Sequence, residues 1–308
     1  MKRFIVKLAL LPTLIFILPL ILLFTVCPQY THEYTASFID KIHRLESIKE
    51  PKIVLVSNSN LAFGIQSDLI EREIGMPVVN LGLHGGLGNA FHERMPLFNL
   101  TEGDIILVAH LSYNDDDVIS DSELALLTVE NYFRFWKIFR AKDFPRIICT
   151  VPKYTYKCLF RFIRHADKEP ASPTCYARSA FNEYGDNIFP RNEEAGESKP
   201  ELRHPSVNTI CMKRINAFYK FCKAKGISVV IAGAPIIDGL PDFNMEEYRQ
   251  FQNDVETLAE CPVISDFRDY VFDKKYFYAG ALHMTNEGAH LRTEQLITDL
   301  KAFLESQN

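Results

Sequence analysis

Three short apolar runs, Lys52 to Val56, Val78 to Leu81 and Asp104 to His110, are separated by stretches with helical patterning, and this alternation constrains the fold most. Runs of this length, rich in Val, Ile and Leu, predict buried strands. Between the first two, Leu69, Ile70 and Ile74 recur at helical spacing, with Ser67 placed as N-cap and Gly75 at the end. A helix from Phe91 to Phe98 separates the second from the third. Parallel neighbours need a crossover and a helix supplies it, so the rhythm predicts a parallel α/β sheet. It returns late in the chain, with a helix from Thr209 to Lys225, a strand from Ile227 to Ala232 and a short fifth strand from Pro262 to Ser265. A last helix from Glu287 to Leu304 presents Leu296, Ile297, Leu300 and Phe303 as one face.

Residues 115 to about 206 break the rhythm. They hold the acidic run Asp115 to Asp117, an aromatic-rich helix around Tyr132 to Phe139 and a polar stretch from Asn192 to Pro205. Such a segment reads as an insertion, lying over the active face or serving as a cap that binds an envelope protein. The 308 residues, 47% hydrophobic and 24% charged, have the composition of a globular chain. The organisation expected is an anchor over 1–30, a short amphipathic stalk over 31–50 with Phe38, Ile42 and Leu45 at helical spacing, and one main domain over 51–308.

From Leu8 to Cys27 the chain is apolar apart from Thr13 and Thr25, about the 20 residues that cross a hydrocarbon layer as a helix. A signal peptide has a shorter core and a small-x-small cleavage site, for which Phe24 to Cys27 is a poor match, so an uncleaved single-pass anchor is favoured. Lys2, Arg3 and Lys7 precede the run, which keeps the N-terminus cytoplasmic and exports the chain beyond residue 30.

Ligands of an open parallel sheet bind at the carboxyl ends of its strands. Ser59, Gly85 and Asn114 each stand just past such an end, and His283 precedes the last helix. In sequence the four blocks read Ser57-Asn58-Ser59, Asn80-Leu-Gly-Leu-His-Gly85, Tyr113-Asn114-Asp115 and His283-Met-Thr-Asn286. In these blocks the chain resembles the SGNH (GDSL-like) hydrolase superfamily over roughly residues 50 to 304. The Asn182-Glu-Tyr-Gly-Asp-Asn187 segment is similar to one in its membrane-anchored members, of the kind linked to acylation of envelope polysaccharides. The resemblance implies a three-layer α/β/α sandwich with a flavodoxin-like central parallel sheet. It also implies Ser59 as nucleophile, His283 as base, and an oxyanion hole from the backbone N–H groups of Ser59 and Gly85 and the Asn114 amide. Two positions depart from the family: the first block lacks its glycine, and Gly280 stands where the family places an Asp three residues before the His.

A serine hydroxyl attacks an ester only when a base takes its proton, and a neutral imidazole within reach does so. With Gly280 in place of the acid, a backbone carbonyl, Asp273 or Asp266 remains to orient His283. Esterase and O-acyltransferase share the acyl-enzyme, and an acyl ester or glycan is the substrate class expected. A catalytically inactive binding or assembly protein on the same fold is the reading from a different class.

A net charge of −5 argues against nucleic acid, whose phosphates call for a basic face. No Cys/His spacing suits a metal, and no cofactor is expected. His84 and His110 read as structural or substrate-edge groups. Of the seven cysteines, Cys149, Cys158 and Cys175 are open to pairing within the insertion.

Overall fold

The computed structural model describes residues 2–26, 31–129, 133–164, 173–192, 204–238, 244–279 and 283–307. The chain begins with helices α1 (Lys2–Pro12) and α2 (Leu18–Thr25), joined by a π-helical turn, and continues into α3 (Ser37–Ser47). Strand β1 (Ile53–Val56) leads through α4 (Ser59–Ala62) and α5 (Ser67–Ile74) to β2 (Val78–Asn80), and α6 (Asn89–His92) precedes β3 (Ile105–Val108). The insertion holds α7 (Ser122–Val129) and α8 (Phe144–Ile163), after which α9 (Thr209–Lys223) returns the chain to β4 (Ser228–Ile231). The remainder comprises β5 (Ile236–Ile237), α10 (Met245–Leu258), β6 (Val271–Phe272), β7 (Phe277–Ala279), β8 (His283–Met284) and α11 (Asn286–Gln307).

Four strands form a central parallel sheet in the order β2-β1-β3-β4. Ile53 stands opposite both Val78 and Ile105, and Ile105 opposite Ser228, so all four carboxyl ends reach one edge. Side chains alternate across a strand. Val54, Val56, Ile106 and Val108 therefore face one way, into a cluster with Phe38, Ile42 and Leu45 of α3 and Ile215 of α9. Ile53, Leu55, Ile105 and Leu107 face the other way, against Ile70 of α5 and Leu296, Leu300 and Phe303 of α11. Helices thus cover both faces. Below the opposite edge, Lys52 Nζ sits 3.1 Å from Asp104 Oδ2 with both side chains fully buried, fixing the starts of β1 and β3 together.

Several elements differ from the sequence expectations. The segment read as a stalk carries α3, whose apolar face is buried in the main cluster rather than standing clear of it. In place of a fifth strand, Val263 makes a single parallel bridge to Ile231. The helix expected over Phe91 to Phe98 is split into α6 and a 3-10 turn, Met95–Phe98, because Pro96 cannot donate within it. The aromatic segment is also 3-10, Phe133–Ile138; Tyr132 lies outside the described residues. Ser67 is the first helical residue and not the cap, its Oγ donating to Asp186 Oδ1 at 2.7 Å while its N–H donates to Oδ2 at 2.6 Å. Cys149 and Cys175 are free thiols, so no disulfide joins these two, and Cys27 lies outside the described residues.

Val6–Thr25 is long and apolar enough to cross a membrane, with a mean hydropathy of 2.6.

Candidate active site

The turn after β1 separates the two serines of the first block. Ser57 is fully buried, and its Oγ donates to Ala109 O at 2.7 Å and accepts from Asn60 Nδ2 at 2.9 Å, so it is locked in the core. Asn58 caps α4, its Oδ1 accepting from Asn60 N at 2.9 Å, which puts Ser59 in the first position of that helix. Among the described residues no group holds the Ser59 hydroxyl. Of the pair, only Ser59 is free to react.

The loop after β2 is pressed against this helix. A side chain at position 82 would meet Ala62 N at 2.4 Å, so only glycine permits the approach. Three residues on, a Cβ at Gly85 would stand 3.6 Å from Asn58 Cβ, an ordinary contact. Gly85 therefore borders the Ser59 turn, and packing alone does not demand glycine there. His84 Nδ1 accepts from Gly86 N at 3.0 Å and fixes the loop.

His283 arrives from the other end of the chain on β8, paired antiparallel with β7. Strand β8 and helix α4 approach within 8 Å, Cα to Cα. The His283 ring stacks on Phe63, one helical turn beyond Ser59, with centroids 4.2 Å apart and an interplanar angle of 16°. Its Nδ1 lies 3.2 Å from the Tyr176 hydroxyl. Arg191, 2% exposed, joins the two elements: Nη2 donates to Phe63 O at 3.2 Å and Nε to Met284 O at 3.0 Å. Ser59, Gly85 and His283 thus share one corner at the carboxyl edge of the sheet.

The remaining expected residues lie differently. Asp273 is exposed and caps its own turn, accepting from Lys275 N at 2.9 Å, while Asp266 is ion-paired with Arg268, which holds its carboxyl below the usual range. Among the described residues neither carboxylate touches His283; Gly280 lies outside them. Asn114 stands beyond β3 with Nδ2 donating to Ser206 Oγ at 2.6 Å. An amide has two N–H groups, so this bond orients Asn114 and leaves the second donor. Asp115 and Asp117 are bound by Arg214 and Arg140, and His110 is buried between Ser57 Oγ and Glu93 Oε1, 3.3 Å from each. Burial alone would raise Glu93, but the adjacent His110 ring and the hydrogen-bonded Arg214 guanidinium outweigh it and hold the carboxyl below its ordinary value.

Burial, with Arg191 and His84 adding positive charge, lowers His283 from 6.5 to about 4. The ring is then neutral through the physiological range, as a base must be before it accepts a proton. Because the folded value lies below the unfolded one, protonation favours the unfolded chain, and the stability present above about 6.5 is lost as pH falls towards 4. The imidazole C2 proton of His283 should titrate near pH 4 by NMR; a midpoint at 6 or above would contradict this burial.

Two contributors were not legible as site residues. Phe63 comes after Ser59 by one helical turn, a spacing that could have flagged it. Tyr176 comes from the insertion and carries no local signal. No protein-family model, curated protein or solved structure matches the chain.

Proposed function

We propose that the protein is a membrane-anchored serine esterase or O-acyltransferase of SGNH type, its sheet and helices forming a three-layer α/β/α sandwich. What supports this reading is that a free Ser59, Gly85 and a neutral His283 lie on neighbouring elements at the carboxyl edge of the sheet. Ser59 Oγ attacks the ester carbonyl while His283 Nε2 takes its proton. The oxyanion is met by the N–H groups of Ser59 and Gly85 and by Asn114, each such donor being worth about 2.7–4 kcal/mol. Collapse of the tetrahedral adduct breaks the C–O bond, and His283 returns the proton to the departing alcohol. Water or an acceptor hydroxyl then attacks the acyl-serine with His283 again as base, giving hydrolysis or transfer. An acylated envelope glycan is the substrate class proposed. Lys2, Arg3 and Lys7 before the anchor favour placing the catalytic domain outside the cytoplasm.

One observation favours a non-catalytic binding protein instead. The base faces a phenol where a carboxylate would fix its tautomer and stabilise the imidazolium. Labelling the full chain in detergent with a fluorophosphonate decides between the two. Stoichiometric labelling on a peptide containing Ser59 is the outcome expected of the enzyme; no labelling at millimolar reagent would favour the binding protein.

A further inference from the structure

Helix α8 of the insertion has three faces. Ile147, Val151, Tyr154 and Cys158 are buried. Ile148, Pro152, Tyr156, Phe160 and Ile163 recur at helical spacing on a second face, and of these Ile148 (52%), Tyr156 (71%), Phe160 (47%) and Ile163 (65%) are exposed. Arg146, Lys153, Lys157, Arg161 and Arg164 form a third, and the helix has no acidic residue of its own. From neighbouring elements, Glu123 of α7 pairs with Lys153 and Lys157, and Glu33 with Arg161. Exposed apolar side chains in a continuous row beside a basic row mark a helix that lies at a lipid surface.

The position of α8 identifies its occupant. It packs against α2, the second half of the apolar run, with Thr155 Oγ1 lying 3.3 Å from Pro19 O. Pro19 lies six residues before Thr25, the end of that run, which at 1.5 Å per residue is about 9 Å inside the apolar layer. An interfacial helix buries its apolar face by roughly 5–10 Å. Exposed Phe133 and half-buried Trp136 extend the surface, their rings 5.6 and 5.4 Å from that of Phe24 on the anchor. A groove of about 310 Å³ between anchor and insertion is lined by Ile15, Leu20, Trp136, Phe144, Ile148 and Pro152. The apolar surface therefore continues without a break from a helix already assigned to the bilayer. We propose that α8 is a second membrane-contacting element, lying in the headgroup boundary with Tyr156, Phe160 and Ile163 among acyl chains and its basic row towards anionic lipid phosphates. This rests on the proposal that the N-terminal helix is a membrane anchor.

Brominated-lipid quenching of single-tryptophan variants tests it. The only tryptophan, Trp136, is replaced by Phe, and one of Tyr156→Trp, Phe160→Trp, Leu14→Trp or Phe221→Trp is added to the full chain. The variants are reconstituted in phosphatidylethanolamine–phosphatidylglycerol vesicles with or without bromine on the acyl chains. Tyr156 and Phe160 are exposed, so Trp is accommodated there, and unchanged circular dichroism confirms the fold. The expected result is at least a twofold loss of emission at positions 156, 160 and 14 and none at exposed Phe221 on α9. Loss at 14 without loss at 156 and 160 would overturn the role of α8 while leaving the anchor, whether water or another protein covers that face. No loss at 14 would overturn the anchor and this inference with it.

Discussion

Ser59→Ala should abolish fluorophosphonate labelling and lower acetyl-ester turnover by about a thousandfold or more, the scale on which removal of a serine nucleophile is felt. The expectation is specific because the neighbouring Ser57 cannot substitute: its hydroxyl is committed to Ala109 O and Asn60 Nδ2 within the core. Ser57→Ala should reduce stability and leave labelling in place. His283→Ala should match Ser59→Ala, since nucleophile and base act as a unit. Tyr176→Phe should do less. For His283 to use Nε2 as base, Nδ1 must carry its proton and donate to the Tyr176 oxygen, a neutral hydrogen bond worth about 1 kcal/mol, or roughly fivefold in rate. Rates of Ser59→Ala equal to those of the parent chain in both hydrolysis and transfer assays would dispose of the enzyme reading.

The site includes a residue that follows the apolar N-terminal run closely in sequence. Tyr34 comes soon after that run and reaches the site directly, stacking on Phe181 at 5.2 Å and meeting Phe63 edge-on at 5.5 Å. Its N–H donates to Tyr176 O at 3.0 Å, so residues soon after the apolar run and residues soon after α8 pair beside His283. Two segments leaving the proposed membrane surface thus converge on His283. A substrate carried at that surface would need to travel little further.

The features legible in the sequence are the local ones. Strands β1 to β4 were legible because apolar runs of that length between helical periods suit buried strands and little else. The placement of Ser59 and Gly85 just past the carboxyl ends of β1 and β2 was legible because the strands themselves were. Val263 failed as a strand because a short apolar run does not reveal whether it has a partner along its length. The burial of α3 was hidden for a different reason: Phe38, Ile42 and Leu45 marked an amphipathic helix, but amphipathicity does not say which surface the helix covers. The Asn182 to Asn187 segment is the clearest long-range case. Asn182 Oδ1 accepts from the N–H groups of Tyr184, Gly185 and Asp186, shaping a turn in which Gly185 takes a φ of 96°. That turn aims Asp186 at Ser67 and Asn80, and the carbonyl of Gly185 at the buried Lys41 of α3. None of these partners lies near it in sequence.

The largest effect on stability within the site is expected at Arg191. Its guanidinium donates to Phe63 O, Met284 O and Asn187 O at 3.2, 3.0 and 2.8 Å, and also to Asn187 Oδ1, while its backbone exchanges hydrogen bonds with Asn286 at the head of α11. Phe63 ends the turn that Ser59 begins, and Met284 adjoins His283, so one cation joins the helix of Ser59 to the strand of His283. Arg191→Ala would strand three carbonyls in the interior with no donor. Hydrogen bonds to a charged group are worth about 1.5–3 kcal/mol each, and loss of a buried cation with its partners typically costs about 3–5 kcal/mol in all. Arg191→Lys should recover only part of this, because a compact ammonium cannot span acceptors set around a planar fork. Urea titration of the detergent-solubilised protein by circular dichroism should show the midpoint falling in the order parent, Lys, Ala. The folded Ala variant should also lose ester turnover, because α4 and β8 are no longer tied. A loss of stability under about 1 kcal/mol for Arg191→Ala, with turnover retained, would mean that Phe63 stacking on His283 alone holds the corner together.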